Sequence, residues 1–184
     1  MSAARGLIAT GGAAPTVAEA AEAASISRTT AYRYFPTQKA LLLAAHPEVA
    51  MTSMLPDGVG SDPEARLEAA VRSFVVMIRD TELQQRTMLR LSLEPDPDAP
   101  VLPLRQGRAI GWFAEALEPL SGRLGADGVR RLAVAVRAVA GIESLVWLTD
   151  VGGLSGEQAT EQMVWSALAL LRQASEHGSP TLGG

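Results

Sequence analysis

The stretch that decides the fold reads Ser25-Ile26-Ser27-Arg28-Thr29-Thr30-Ala31-Tyr32-Arg33-Tyr34-Phe35-Pro36. It predicts a short helix that carries hydroxyl, guanidinium and phenol groups. This helix ends before Pro36, because the residue preceding a proline is disfavoured in the α region. An alanine-rich helix, residues 17–24, lies directly upstream, and the turn between the two is too short for anything but a steep angle. Such a pair, with polar side chains exposed on the second helix, is typical of a helix-turn-helix.

Local capping signals support both helices. Thr16 and Glu19 have the spacing of a capping box, and Ser27 suits the N-cap of the second helix. A third helix is predicted to follow Thr37 through residues 39–45. Four apolar side chains are predicted to form the core that holds the first two helices at their angle: Val17, Ala21, Ile26 and Phe35.

The formal charge of −4 hides an uneven distribution. Residues 1–50 carry a net charge of +1 and the remainder −5, and no acidic residue occurs between Glu22 and Glu48. This acid-free basic window coincides with the predicted second helix. Such a local excess of positive charge favours contact with nucleic acid even though the whole chain is acidic.

The rest of the chain also predicts helices, and the fold class is all-α, because no segment shows sustained period-2 alternation. Helices are predicted near 63–80, 82–93, 103–123, 128–150 and 156–176, with a proline-rich loop at 94–100. The predicted organisation is an N-terminal helix-turn-helix domain (1–46), a helical ligand-binding and dimerisation domain (47–177) and a disordered tail (178–184).

The last two long helices have little polar face. Their apolar positions are Val134, Val136, Val139, Ile142, Leu145, Val146, Trp147 and Leu148 on the first, and Met163, Val164, Trp165, Ala167, Leu168, Leu170 and Leu171 on the second. A helix that is apolar nearly all round must be buried nearly all round. The pattern therefore predicts a homodimer in which these two helices of each copy form a four-helix interface.

Several other classes of protein have little support in the sequence. The chain contains no cysteine, which excludes disulfides, thiolate metal sites and thiol nucleophiles. No signal peptide or membrane-spanning apolar run is recognisable, so a cytoplasmic location without membrane contact is expected. The two histidines, His46 and His177, have no Ser or Asp partner at a telling spacing, and no phosphate-binding glycine motif occurs. The sequence predicts no enzyme, no catalytic residue, no cofactor and no metal.

Residues 12–45 resemble the DNA-binding domain of TetR (tetracycline repressor) family transcriptional regulators. The likeness runs through Gly12, Thr16-Val17, Ala21, Ala24-Ser25-Ile26-Ser27, Thr30, Tyr32, Phe35-Pro36 and Ala40-Leu41. The resemblance implies a homodimeric repressor that binds a double-stranded DNA operator and is released when a small-molecule effector binds the C-terminal domain. The chain departs from the family pattern in three places. Ser25 replaces a glycine in the turn, Gln38 replaces a lysine with Lys39 one residue later, and the first helix is short.

Candidate contact residues follow from the chemistry of the predicted second helix. Arg28, Thr29 and Arg33 are the candidates for base contact, because arginine can bind guanine O6 and N7 and the threonine methyl can meet a thymine methyl. Thr30, Tyr32, Tyr34 and Lys39 are better suited to phosphates. The predicted DNA-binding set also includes Thr16 and Ser27. For the two arginines and the tyrosines, the alternative is that they are only solvated or packed.

An effector site is predicted among apolar side chains of the C-terminal domain, where flexible methionine and flat aromatic rings suit an apolar ligand. The candidates are Phe74, Met77, Met88, Trp112, Phe113 and Trp147, each with ordinary core packing as the alternative. Four charged residues on otherwise apolar helices, Arg90, Arg105, Arg137 and Glu143, are expected to be solvated or salt-bridged, although one of them can orient a polar ligand group. The alternative function is a helical dimeric small-molecule-binding or protein-interaction module that has lost operator binding.

Overall fold

The computed structural model describes residues 3–4, 6–7, 15–45, 51–93 and 107–179. Within these ranges every regular element is helical, as the sequence predicts. The helices are α1 (Val17–Ala23), α2 (Arg28–Tyr34), α3 (Gln38–Ala45), α4 (Pro63–Asp80), α5 (Glu82–Leu93), α6 (Arg108–Ala116), α7 (Ser121–Val139), α8 (Ile142–Val146) and α9 (Gly156–His177). A 3-10 turn, Glu118–Leu120, precedes α7, and a π-helical turn, Trp147–Val151, follows α8.

The described helices fall into two compact units. The first unit contains α1, α2, α3 and α5, and the second contains α4 together with α6 to α9. The sequence predicts a single domain boundary at residue 46, which would assign α5 to the C-terminal domain. In the structure, α5 packs against α3. The buried Gln84 side chain of α5 donates to the Leu42 carbonyl of α3 at 3.3 Å. This bond satisfies one of the carbonyls that a helix end leaves without an intrahelical partner.

The core of the first unit consists mainly of small side chains. Ala4, Val17, Ala20, Ala21, Ala31, Leu41 and Ala45 are buried together, and Phe35 packs against them. Alanine at these positions lets short helices approach one another closely, so that seven-residue helices such as α1 and α2 can form a shared core. Val17, Ala21 and Phe35 thus lie where the sequence predicts them. Ala4 joins this core from the short helical segment that precedes α1.

The second unit is organised around α4 and α9, which run antiparallel. Arg172 of α9 binds Glu64 at the start of α4 through two nitrogens, at 3.0 and 2.9 Å. Near the other end of the pair, Arg72 of α4 binds Glu161 of α9. Between these ion pairs the two helices bury apolar side chains, including Leu67, Val71, Met163, Ala167 and Leu171.

Two of the long predicted helices are interrupted in the structure. The predicted helix 128–150 is interrupted at Ala140–Gly141, where the backbone is extended, and it ends in the π-helical turn. The predicted helix 103–123 is replaced, within the described residues, by α6, the 3-10 turn and the beginning of α7. Gly125 (φ 69°, ψ 167°) then bends α7. The apolar periodicity continues across these breaks, which is why the sequence predicts fewer and longer helices.

Several predictions fall wholly or partly outside the described residues, among them Arg105 and the start of the predicted helix 103–123. The loop at 94–100, His46 and residues 180–184 belong to this group. Of the tail predicted to be disordered, Gly178 and Ser179 are described. The Ser179 hydroxyl accepts a hydrogen bond from Arg131 Nη2 at 3.0 Å, so the chain beyond α9 is anchored as far as Ser179.

Among the described residues, one helical segment, Glu118–Val151, is long and apolar enough by composition to cross a membrane. The core helix of a water-soluble bundle has the same composition. In this structure the segment is broken at Gly125 and Gly141, and Leu132, Val136 and Leu145 on it are buried in the second unit. We therefore attribute its apolarity to packing within the bundle.

Candidate nucleic-acid interface

A complete capping box begins α1. The Thr16 hydroxyl accepts from the Glu19 N–H at 3.2 Å, and the Glu19 carboxylate accepts from the Thr16 N–H (2.7 Å) and hydroxyl (2.9 Å). The two Thr16 donors hold the pKa of Glu19 below its usual value, the backbone N–H first and the hydroxyl second. The Thr16 hydroxyl is therefore both donor and acceptor within α1. A contact of Thr16 with phosphate would require this arrangement to be shared or broken.

The turn between α1 and α2 is a Schellman motif. The Ile26 N–H bonds to the Ala21 carbonyl and the Ser25 N–H to the Glu22 carbonyl, both at 3.0 Å. Ser25 has φ 55°, the left-handed conformation that glycine adopts most easily. The serine that replaces the family's glycine thus keeps the turn geometry and accepts a backbone penalty for it.

Ile26 was predicted to be part of the core, and this prediction is wrong, since its side chain is 47% exposed. In a Schellman motif the residue at this position commonly packs against the helix residue that accepts its N–H. Here that residue is Ala21, whose methyl group is too small to cover an isoleucine. Half of the Ile26 side chain therefore remains at the surface, directly before α2, where an aliphatic group can meet a thymine methyl.

Ser27 caps α2 and fixes its first turn. Its hydroxyl accepts from the Thr30 N–H at 3.1 Å and donates to the Thr30 hydroxyl at 2.8 Å. The hydroxyl groups of Ser27 and Thr30, both predicted to contact DNA, are thus hydrogen-bonded to each other. Ser27 acts first as a cap, and Thr30 presents its hydroxyl already bound to that cap.

The exposed face of α2 carries the predicted base-contacting residues. Ala31 is the buried residue of the helix, and successive helical residues are rotated by about 100°. The side of α2 opposite Ala31 therefore holds Thr29 and Arg33, and both are exposed. Arg28 is also exposed, but it lies at the first position of α2 and about 60° round the helix from Ala31, so it does not share that side. The structure thus places two of the three predicted base-contacting residues on one accessible helix face.

The two tyrosines flank this face. Tyr32 is 47% exposed and Tyr34 is 65% exposed, and the Arg33 guanidinium lies 5.3 Å from the centroid of the Tyr34 ring. A cation–π contact of this kind orients the guanidinium while leaving its N–H groups available. The phenol groups are placed beside the basic face, as expected for phosphate contacts.

Gln38 and Lys39 are the first two residues of α3 and follow Pro36 closely in the chain. Gln38 donates its side-chain amide to the Pro15 carbonyl at 3.3 Å, which ties the start of α3 to the residue before the α1 cap. The sequence identified Gln38 only as a departure from the family's lysine. In the structure, the Gln38 side chain connects the start of α3 to the start of α1. Lys39 is half-buried beside it, so its ammonium group is a candidate phosphate contact on a well-held helix.

The predicted effector residues are only partly brought together. Phe74 of α4 contacts Trp112 and Phe113 of α6, with ring centroids 6.2 and 5.3 Å apart, and all three are buried in the second unit. Met77 is buried on α4. Met88 belongs to the first unit through α5, and Trp147 is 64% exposed, so these two do not join the aromatic cluster.

Two of the four charged residues that were expected to be solvated or salt-bridged form an ion pair with each other. Arg137 Nη1 and Glu143 Oε2 are 3.1 Å apart. Arg90 is exposed on α5, and Arg105 lies outside the described residues. Among the described residues, no group of three or more His, Cys, Asp or Glu side chains is arranged to hold a metal ion.

Comparison with known proteins supports the interpretation of the first unit. Residues 1–45 match the family described as "Bacterial regulatory proteins, tetR family". No curated protein sequence matches the chain significantly. The match covers the three helices, the Schellman turn and the exposed basic face described above. Residues 1–45 therefore carry the helix-turn-helix DNA-binding domain of the TetR family, which supports a DNA-binding transcriptional regulator.

Proposed function

We propose that this protein is a cytoplasmic, ligand-responsive repressor that binds its operator as a homodimer and leaves it when a small molecule binds the second unit. The observation that carries the proposal is the outward face of α2, where Thr29 and Arg33 lie opposite the buried Ala31, with Arg28 exposed at the capped start of the same short helix. A face of this composition suits base edges in the major groove.

Base and phosphate contacts divide between two sets of residues. Arg28, Thr29 and Arg33 read bases, while Tyr32, Tyr34 and Lys39 bind phosphates and set the register. Thr30, Thr16 and Ser27 contribute mainly by fixing the helix starts, because their hydroxyls are engaged in caps. This division predicts which substitutions change sequence preference and which change affinity for all DNA.

The homodimer is supported by large apolar side chains at the surface of the second unit. Trp147 and Val151 in the π-helical turn are each 64% exposed, and Trp165 on α9 is 65% exposed. Tryptophan is among the residues that contribute most to protein interfaces. A dimer formed through these side chains would carry two α2 helices, one for each half of a two-fold operator.

The effector is proposed to act through the second unit, where Phe74, Trp112 and Phe113 form the aromatic core. Its binding must favour a conformation with lower operator affinity. A typical coupling of about 1–3 kcal/mol corresponds to a roughly 5- to 150-fold loss of affinity. Linkage requires that operator DNA weaken effector binding by the same factor.

The proposal is tested by a fluorescence shift assay with DNA from around the protein's own gene, compared with random DNA of equal length. We expect specific binding by the wild type and weaker, less selective binding by Arg33→Ala. Binding that does not distinguish the two DNAs would refute operator recognition and favour the alternative of an interaction module.

Sedimentation tests the dimer separately. Trp165→Glu should yield monomers with weakened operator binding, while Gln173→Glu, which adds the same charge at an exposed polar position of α9, should leave the dimer intact. A monomeric wild type at micromolar concentration would refute the homodimer.

A further inference from the structure

The break between α7 and α8 is bridged by one arginine. Arg137 Nη1 donates to Glu143 Oε2 at 3.1 Å and to the Ala140 carbonyl at 3.3 Å. The same guanidinium lies over the Phe74 ring, 5.6 Å from its centroid. A cation is thus placed directly on the buried aromatic cluster of the second unit, at the point where the long helix stops.

Gly141 makes this placement possible. A Cβ atom built on Gly141 would lie 1.9 Å from Arg137 Nη1 and 2.9 Å from Glu143 Oε2. Any other residue at this position would push the guanidinium, the carboxylate or both away from the break. The chain at 140–143 is therefore shaped to receive a cation and an anion side by side.

The Arg137–Glu143 pair differs from the other arginine contacts of the second unit. Arg72 and Arg172 join α4 to α9, and the Arg66 guanidinium binds the Glu115 and Ala116 carbonyls at the end of α6. Those contacts link segments far apart in the chain. Arg137 and Glu143 are only six residues apart, and their ion pair joins the end of α7 to the start of α8 across the break.

Exposure within the pair is asymmetric. The Arg137 side chain is 24% exposed, whereas that of Glu143 is 39% exposed. The guanidinium is held in place by its environment, including the Phe74 ring and the Ala140 carbonyl, while the carboxylate reaches it from the solvent side. A carboxylate from another molecule can therefore compete with Glu143 for the same cation.

We propose that Arg137 binds the carboxylate of the effector and that Glu143 is the intramolecular occupant that the effector displaces. This inference rests on the proposed function, and it narrows the effector class to organic acids with an apolar body. Arginine is suited to the role, because its planar fork binds carboxylates in a defined geometry and stays charged at all relevant pH values.

Displacement of Glu143 has a structural consequence. Glu143 lies in the first turn of α8, and its carbonyl accepts the N–H of Trp147 at the end of that helix. Release of the Glu143 side chain removes one of the contacts that position α8 and the π-helical turn. Trp147 and Val151, the proposed dimer contacts, are on this turn. An acid bound at Arg137 can thereby alter the proposed dimer surface.

The test is calorimetric titration of the intact protein with octanoate and benzoate, and with octanamide and benzamide as neutral isosteres. We expect the acids to bind at least about tenfold more tightly than the amides, as charge-assisted hydrogen bonds imply. Arg137→Gln should abolish this preference, and Glu143→Gln should tighten acid binding severalfold, because the internal competitor is gone. Arg130→Gln, an exposed position of α7, controls for loss of one positive charge.

The Glu143→Gln variant decides the outcome, because it keeps Arg137 in place and its folding can be checked by circular dichroism. Unchanged or weaker acid binding by this variant, no binding of either acid to it, or equal binding of acids and amides overturns the proposal. Operator release is measured separately. Release by neutral compounds alone keeps the repressor proposal and refutes the role of Arg137, whereas acid binding at Arg137 without release refutes effector control.

Discussion

Replacing Ser25 with glycine should stabilise the helix-turn-helix. Ser25 has φ 55° at the position of the Schellman motif that glycine usually occupies. The left-handed conformation costs a residue with a Cβ about 1–2 kcal/mol. Glycine avoids this cost but loses about 0.5–1 kcal/mol through the greater freedom of the unfolded chain. The expected net gain is about 0.5–1 kcal/mol, and Ser25→Ala, which keeps the Cβ, should gain nothing.

Hydrogen exchange read by mass spectrometry is the suitable assay, because it resolves the first unit. The three tryptophans, Trp112, Trp147 and Trp165, all lie in the second unit, so their fluorescence reports its unfolding separately. In Ser25→Gly, peptides covering α1 and α2 should show about twofold to fivefold slower exchange, the factor that corresponds to the expected free energy. The urea midpoint from tryptophan fluorescence should stay unchanged.

Two results would refute this reasoning. If Ser25→Gly and Ser25→Ala protect α1 and α2 equally, the backbone conformation is not the source of the penalty. If Ser25→Gly speeds exchange, the serine side chain contributes more to the turn than its Cβ costs.

Other substitutions test the recognition face and the second unit. Arg33→Ala should cost about 1–3 kcal/mol in operator binding and relax the preference at one base pair per half-site. Lys39→Ala should weaken binding to all DNA sequences alike and lower the salt dependence of binding by about one phosphate contact. If Arg33→Ala loses equal affinity for specific and random DNA, Arg33 does not contact a base. Arg66→Lys should lower stability by about 1–2 kcal/mol in urea unfolding, because an ammonium group cannot replace the fork that binds the Glu115 and Ala116 carbonyls. The Arg172 guanidinium lowers the pKa of Glu64, so the pair should stabilise the fold above the ordinary carboxyl pKa of 4.5 and lose this effect as pH falls below it. The melting temperatures of wild type and Glu64→Gln should therefore differ at pH 7 and converge as the pH falls well below 4.5. A difference that stays constant with pH would contradict the ion pair.

Features governed by local sequence are predicted well. The capping box at Thr16, the Ser27 cap and the end of α2 at Pro36 all depend on residues within one helical turn. The spacing of Thr29 and Arg33 likewise fixes that they share a face of α2. The fold class and the recognition face could therefore be predicted from the sequence.

Features governed by contacts between distant segments are predicted less well. The helix break at Gly141 is bridged by the Arg137–Glu143 pair, whereas the apolar pattern around it continues without interruption and does not reveal the break. The place of α5 in the first unit depends on the buried Gln84 amide, which a hydrophobic pattern does not identify. Trp147 was predicted both for the apolar cavity and for the dimer helices. Only its exposed position distinguishes the two, and it favours the dimer.

The distribution of paired and accessible arginines explains how an acidic chain can bind DNA. In the second unit, Arg72 and Arg172 are engaged with glutamates and Arg66 with backbone carbonyls, so much of its positive charge is committed to the bundle. In the first unit, Arg28 and Arg33 lie exposed on α2, and its sequence from residue 23 to 47 has no acid. The field that a phosphate backbone meets on approach to α2 is set mainly by nearby charges, because salt screens charges beyond roughly 8–10 Å. The net charge of −4 therefore affects solubility and long-range repulsion more than the contact itself.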